Sequence, residues 1–133
     1  MKVLIVEPLK APVVREIDGS LEDYQKIVGG YIQAIYPFVE EPEVALICND
    51  EGKLMNLPLN RTLKDENGQV YDILSGTFFL CGAPADSDHF TGLTDDQIRY
   101  FIDYYAKCEE IVRVGDQLLV LVREYRDTDD RKN

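Results

Sequence analysis

The chain has 133 residues, 45% of them hydrophobic, and its 25 acidic and 14 basic residues give a formal net charge of −11. This length and apolar content suit one domain with its own core and disfavour two independent domains. Such an acidic surface repels phosphate backbones, which argues against direct nucleic-acid binding. It could attract a basic protein, or serve solubility alone.

The start of the chain and its cysteines bear on the compartment. Only four apolar residues stand between Lys2 and Glu7, too few for a signal peptide, and no run is long enough to span a membrane. Cys48, Cys81 and Cys108 lie far apart among apolar neighbours, which predicts buried, reduced thiols. We therefore expect a cytoplasmic protein without membrane contact.

The first fifty residues predict one helix among several strands. Ser20 suits an N-cap, and Gly29 and Gly30 suit a helix stop, so an amphipathic helix is expected at about 20–28. The β-branched and aromatic runs around it predict strands at residues 2–6, in VVREID after Pro12, at 31–38 and at 43–50.

The next segment predicts extended chain broken by turns. Pro58 limits KLMNLPLNRTL to an edge strand or a loop. Asn67-Gly68 supplies a strong turn signal, because both residues tolerate a positive φ.

YDILSGTFFLCG, residues 71–82, is the segment that most resembles a catalytic stretch, since it sets Asp, Ser, Thr and Cys among apolar residues. Strand alternation puts Phe79 and Cys81 on one face and Phe78 and Leu80 on the other. With a bend or bulge at Ser75-Gly76, we interpret the segment as a kinked core strand.

A capped helix start provides the clearest local signal. Thr94 and Gln97 have the spacing of a capping box, which predicts a helix at about 95–113. Its large side chains spread over roughly 200°, more than one sheet face requires. Either Tyr100 and Tyr104 lie at the margin with their hydroxyls in water, or the helix makes a second contact with the C-terminal segment or another subunit.

The end of the chain combines an apolar run with a polar tail. QLLVLVREY, residues 117–125, predicts a strand covered on both faces, although a helix fits the pattern too. Residues 126–133 predict a polar, flexible tail.

Residues suited to catalysis or metal binding are sparse. The single histidine, His89, lies in an acidic loop and is interpreted as solvated. We find neither a clustered His/Cys site nor a phosphate-binding glycine loop, and therefore expect no catalytic residue, metal ligand or cofactor. Asn60 and Arg61 are candidate partner contacts together with Tyr100 and Tyr104. The guanidinium of Arg61 could instead form a salt bridge or fix a loop by hydrogen bonds.

Three segments carry a family resemblance: GGYIQAIYPF, NDEGKLMNLPLNR and VYDILSGTFFLCG. In this order, and followed by a capped helix, they resemble a domain-of-unknown-function family of small proteins from phages, plasmids and conjugative elements of Gram-positive bacteria. The resemblance covers about residues 1–106. It implies an accessory protein of a mobile element, and such elements also carry acidic proteins that imitate DNA.

We therefore expect one α+β domain over residues 1–125, with a family-like part at 1–106 and an extension at 107–125. Two helices should pack on a mixed or antiparallel sheet of five or six strands. The function expected first is non-enzymatic protein–protein interaction, with a homodimer possible through helix 95–113 or segment 117–125. The alternatives are an acidic DNA-mimic inhibitor of a host nuclease or restriction system, and a small enzyme. The enzyme would have its site near Arg61 and Asp72 and could use Ser75, Thr77 or Cys81.

Overall fold

The computed structural model describes residues 1–126, over which the chain forms two helices and nine strands. This confirms the small α+β fold. Apart from Arg126, the predicted tail lies outside the described residues. The elements are β1 Lys2–Val6, β2 Val13–Glu16, α1 Leu21–Val28, β3 Ile32–Ile35, β4 Val44–Asn49, β5 Leu59–Lys64, β6 Val70–Ser75, β7 Phe78–Gly82, α2 Asp95–Tyr104, β8 Cys108–Val114 and β9 Gln117–Arg123.

The main sheet has five strands in the order β2-β1-β7-β4-β3, and every neighbouring pair is antiparallel. Two further antiparallel pairs, β5–β6 and β8–β9, form separate hairpins. In keeping with Pro58, β5 begins one residue after it and belongs to a two-stranded sheet. No helix within residues 1–126 has the length and apolar character to cross a membrane.

Both faces of the main sheet are buried, so the molecule has two cores. Phe78 and Leu80 face the core that holds Phe101 of α2, whereas Phe79 and Cys81 face the core that holds Tyr24 of α1. The predicted alternation in β7 is thereby confirmed. The bend at Ser75-Gly76 is confirmed as well, because Gly76 has a φ of 86° and lies between β6 and β7. The single kinked core strand predicted for 71–82 is wrong, since β6 pairs with β5 in a separate sheet and only β7 belongs to the main sheet.

The predicted helix starts are present. Ser20 Oγ accepts a hydrogen bond from the amide of Asp23, and Gly29 ends α1 with a φ of 80°. At α2, Thr94 and Gln97 form the complete capping box. These caps satisfy amide groups that a helix start leaves without partners.

The predicted extension of the second helix to residue 113 is wrong. Helix α2 ends at Tyr104, and residues 108–114 form β8, which pairs with β9 across a two-residue loop at Gly115 and Asp116. The β-branched residues Ile111, Val112 and Val114 favour a strand, and the antiparallel pairing with β9 gives β8 its backbone hydrogen bonds. The wide apolar arc therefore combined residues of a helix with residues of a strand.

The C-terminal segment is a strand, but its predicted coverage on both faces is wrong. Most residues of β9 are exposed, because among the elements of residues 1–126 β9 has close contacts chiefly with its neighbour β8 and is not covered by another layer. A run of apolar residues is therefore not evidence of burial here.

Candidate functional site

The β8–β9 hairpin is held to the rest of the domain at one end, which we call the hairpin base. Arg61 of β5 lies at its centre with an exposed fraction of only 1%. The guanidinium donates hydrogen bonds to the carbonyls of Glu7 and Lys10, to Asn60 Oδ1 and to the hydroxyl of Tyr125, at 3.4, 2.8, 2.9 and 2.7 Å. One side chain thus connects the N-terminal loop, β5 and the C-terminal segment.

Two further features show how Arg61 is accommodated. Its Cζ atom lies 5.9 Å from the ring centroid of Tyr105 and 5.8 Å from that of Tyr125, within the range of cation–π attraction. The two carbonyls that it binds flank Leu9, a non-glycine residue with a φ of 67°. Arg61 therefore helps to hold the strained turn in place.

Glu109 of β8 forms the second anchor of the base. Its carboxylate accepts hydrogen bonds from the amide of Thr62 at 2.9 Å and from the Thr62 hydroxyl at 2.8 and 3.0 Å, and it pairs with Lys64 at 3.1 Å. Burial alone would raise the pKa of Glu109, but the Thr62 hydrogen bonds and Lys64 outweigh it and lower the pKa below its usual value of 4.5. The ionised carboxylate thus fastens β8 to β5.

Residues 111–122 form the outer part of the same hairpin, which we call the distal hairpin. Its side chains are mainly apolar, yet Leu119, Leu121 and Val122 have exposed fractions of 45%, 49% and 64%. Val114 and Leu118 are exposed too. An exposed apolar patch of this kind is typical of an interaction surface.

The outer edge of β9 has no neighbouring strand among residues 1–126. Natural edge strands are commonly protected by charged residues or proline. Residues 117–122 contain neither. The edge strand β3 also lacks them but has only four residues, whereas β2 carries Arg15 and Glu16 and β6 carries Asp72. This edge can therefore accept another strand.

The four candidate contact residues fall into two environments. Asn60 and Arg61 are buried, and the Asn60 amide donates hydrogen bonds to the carbonyls of Val6 and Gly76 at 2.9 and 2.8 Å. Tyr100 and Tyr104 lie on α2 with stacked rings whose centroids are 6.3 Å apart, and the Tyr104 side chain is exposed. The structure does not bring the two pairs into one site.

The residues considered for catalysis are brought together only in part, since Asp72 and Ser75 line one cleft beside the distal hairpin and the others lie elsewhere. Arg61 lies in the hairpin base, Asp72 binds Lys53, and Cys81 lies in the core beneath α1. Burial raises the pKa of Cys81 to about 12 and that of Cys48 to about 11, which leaves little thiolate at neutral pH. All three cysteines are free and buried, as predicted.

The remaining candidate groups do not form a metal site within residues 1–126. No cluster of three or more His, Cys, Asp or Glu side chains in this part of the chain could hold a metal ion. His89 is exposed and lies 3.3 Å from the carboxylate of Asp88, in agreement with a solvated loop histidine.

Sequence reasoning missed the hairpin and its anchor. The signal for the hairpin was Gly115-Asp116 between two β-branched runs, since Gly-Asp is a typical two-residue hairpin loop. No sequence signal singled out Glu109, because its role depends on the position of Thr62 in space.

Fold and site together define a small antiparallel α+β domain with an anchored C-terminal hairpin. The model of the family described as Domain of unknown function (DUF3846) matches residues 1–106, and the chain belongs to that family. The match ends before β8, so the family region contributes Arg61 and Thr62 to the base, while Glu109 and Tyr125 follow it. Comparisons with curated proteins and with solved structures gave no match.

Proposed function

We propose that this chain is a non-enzymatic protein–protein interaction module and that the distal hairpin is its contact surface. The observation that carries the proposal is the exposure of Leu119, Leu121 and Val122 on a hairpin whose base is firmly anchored. The base holds the hairpin in position, so its apolar side chains are presented to a partner at a small entropic cost.

A second copy of this chain is the partner that we propose, through antiparallel pairing of β9 with β9. With Val120 opposite itself, Leu119 faces Leu121, Leu118 faces Val122 and Gln117 faces Arg123 of the other copy. No like charges are opposed along the strand, and apolar cross-strand pairs are favourable. The large net negative charge opposes association at long range, so we expect added salt to strengthen the dimer.

Light scattering after size-exclusion chromatography tests this pairing. We expect the natural chain to form a dimer and Leu119→Glu to be a monomer, because the variant places carboxylates in the paired edge. Leu21→Glu is the matched control, since Leu21 is exposed at the start of α1, where a carboxylate is tolerated, and should remain a dimer. A natural chain that stays monomeric at high concentration and high salt would overturn the second copy as partner.

The setting of this interaction is part of the same proposal. The three buried thiols support a reducing, cytoplasmic compartment. An accessory role in a mobile element rests on the resemblance of the three segments described above. Affinity capture from a bacterial host, with the natural chain and with Leu119→Glu in parallel, tests that role. A host protein retained by both baits would bind elsewhere on the molecule.

A further inference from the structure

A cleft of about 540 Å³ opens beside the distal hairpin, between β6, the segment 53–59 and the end of the hairpin. The volume is within the range of small-molecule sites. Its apolar lining comes from Leu57, Leu59, Ile73 and Leu118, and the ring of Tyr71 adds an aromatic surface. These walls suit a ligand with an apolar body.

Tight backbone packing forms one wall of the cleft before any ligand arrives. A Cβ atom added at Gly52 would lie 2.7 Å from the carbonyl oxygen of Ser75, and one at Gly76 would lie 2.7 Å from Leu57. The amide of Gly76 donates to the carbonyl of Pro58 at 2.7 Å. The segment 52–58 is therefore closely fitted to the end of β6, and binding requires little reorganisation.

Ser75 and Arg113 place hydrogen-bond donors in the cleft that a ligand can use. Ser75 has an exposed fraction of 7% and lines the cleft, yet its hydroxyl has no hydrogen-bond partner among residues 1–126. Arg113 likewise forms neither an ion pair nor a hydrogen bond within the described part of the chain. Among the described residues, Arg61 Nε is the one buried side-chain polar atom without a partner, so the Ser75 hydroxyl is open to the cleft and can donate to a ligand that enters it.

The charges of the cleft indicate the kind of ligand. The carboxylate of Asp72 is already occupied, because it pairs with Lys53 and accepts a hydrogen bond from the amide of Ile73 at 2.8 Å. Arg113 is then the one cation of the lining without a carboxylate partner among the described residues. It matches a single negative charge, and the net charge of −11 disfavours a dianion.

From these contacts we propose that the cleft binds a small monocarboxylate with an apolar tail or ring. The guanidinium of Arg113 pairs with the carboxylate, the Ser75 hydroxyl donates a hydrogen bond to the ligand, and the apolar walls cover its body. This inference does not depend on dimer formation, because every residue of the cleft belongs to one copy.

Titration of the isotope-labelled full chain with decanoate below its micelle concentration, followed by NMR, tests the proposal. We expect saturable shifts at Ser75, Tyr71 and Arg113, and affinity lower by about tenfold or more for decanol, which lacks the charge. Decyl phosphate should bind more weakly than decanoate. If decanol bound as tightly as decanoate, the proposed charged contact would be wrong. If decyl phosphate bound more tightly than decanoate, the proposed preference for a single negative charge would be wrong.

Matched variants locate the binding. Arg113→Gln should lower the affinity for decanoate by about tenfold or more, because a charge-assisted hydrogen bond is lost. Arg15→Gln makes the same change in charge outside the cleft and should leave that affinity unchanged. Leu121→Ser, in the exposed apolar patch, should also leave it unchanged. If Leu121→Ser weakened decanoate binding and Arg113→Gln left it unchanged, the ligand would lie on the apolar patch. This result would overturn the proposal. The absence of any saturable shift in the natural chain would overturn it as well.

Discussion

The hairpin base and the distal hairpin lie at opposite ends of β8 and β9 and have opposite characters. The base is polar and buried, with Arg61 and Glu109 engaged by several partners each, whereas the distal hairpin is apolar and exposed. The buried polar groups fix where the hairpin attaches, because each must keep specific partners. The exposed apolar groups contribute little to that attachment, which leaves them available for a partner.

The largest effect should come from Arg61→Met. The carbonyls of Glu7 and Lys10 and the Tyr125 hydroxyl would lose their donor, and we expect a loss of at least about 3 kcal/mol in the free energy of unfolding. Urea denaturation measures it, with Arg15→Met as the control on an exposed strand. Should Arg61→Met fail to fold, Arg61→Lys, which keeps the charge but not the planar fork, should still fold with reduced stability. If either Arg61 variant unfolded at the same urea concentration as the natural chain, the base would not depend on this network.

Glu109→Gln should have the next largest effect and lower the free energy of unfolding by about 2 kcal/mol at neutral pH. The folded pKa of Glu109 is lowered, so its contribution is present above the unfolded value near 4.5 and is lost as the pH falls through the folded pKa. The difference between the natural chain and the variant should therefore shrink on acidification, as urea denaturation over a pH series would show. Glu110→Gln is the control, since its ion pair with Arg123 is partly exposed. A difference that stays constant with pH would contradict this role of the carboxylate.

Gly115→Ala should cost about 1 kcal/mol, because Gly115 has a φ of 64°, which a side chain disfavours. A Cβ atom there would meet nothing within 4 Å, so the cost comes from the backbone alone. Thermal unfolding at low protein concentration measures it, and Gly68→Ala, in the turn between β5 and β6, provides a similar positive φ for comparison. A loss well above that of Gly68→Ala would mean that the loop of the distal hairpin has a contact of its own.

Leu121→Ser should have the smallest effect on the monomer, within about 0.5 kcal/mol, because the side chain is half exposed. The same change should weaken self-association, which light scattering measures. A large loss of monomer stability, seen by urea denaturation at low concentration, would place the distal hairpin within the core instead of on the surface.

Local sequence signals predicted the parts of the fold that depend on neighbouring residues. The capping box at Thr94 and Gln97, the bend at Gly76 and the alternation of Phe78 and Phe79 were all apparent from spacing. The end of α2 was not apparent, because the apolar residues near Ile111 fit a helix as well as a strand. Pairing with β9 decides in favour of the strand. The partners of Arg61 and Glu109 are 45 or more residues distant along the chain in most cases, and no spacing rule reaches that far.

Hydrogen exchange measured over a series of protein concentrations tests most directly whether the distal hairpin is a contact surface held by a fixed base. The amides of β9 that do not bond to β8 should exchange fast in dilute protein and slow down as the concentration rises. The amide of Thr62, which bonds to Glu109, should be protected at every concentration. Exchange of the β9 amides that does not change with concentration, or a Thr62 amide that exchanges as fast as the β9 edge, would contradict the account.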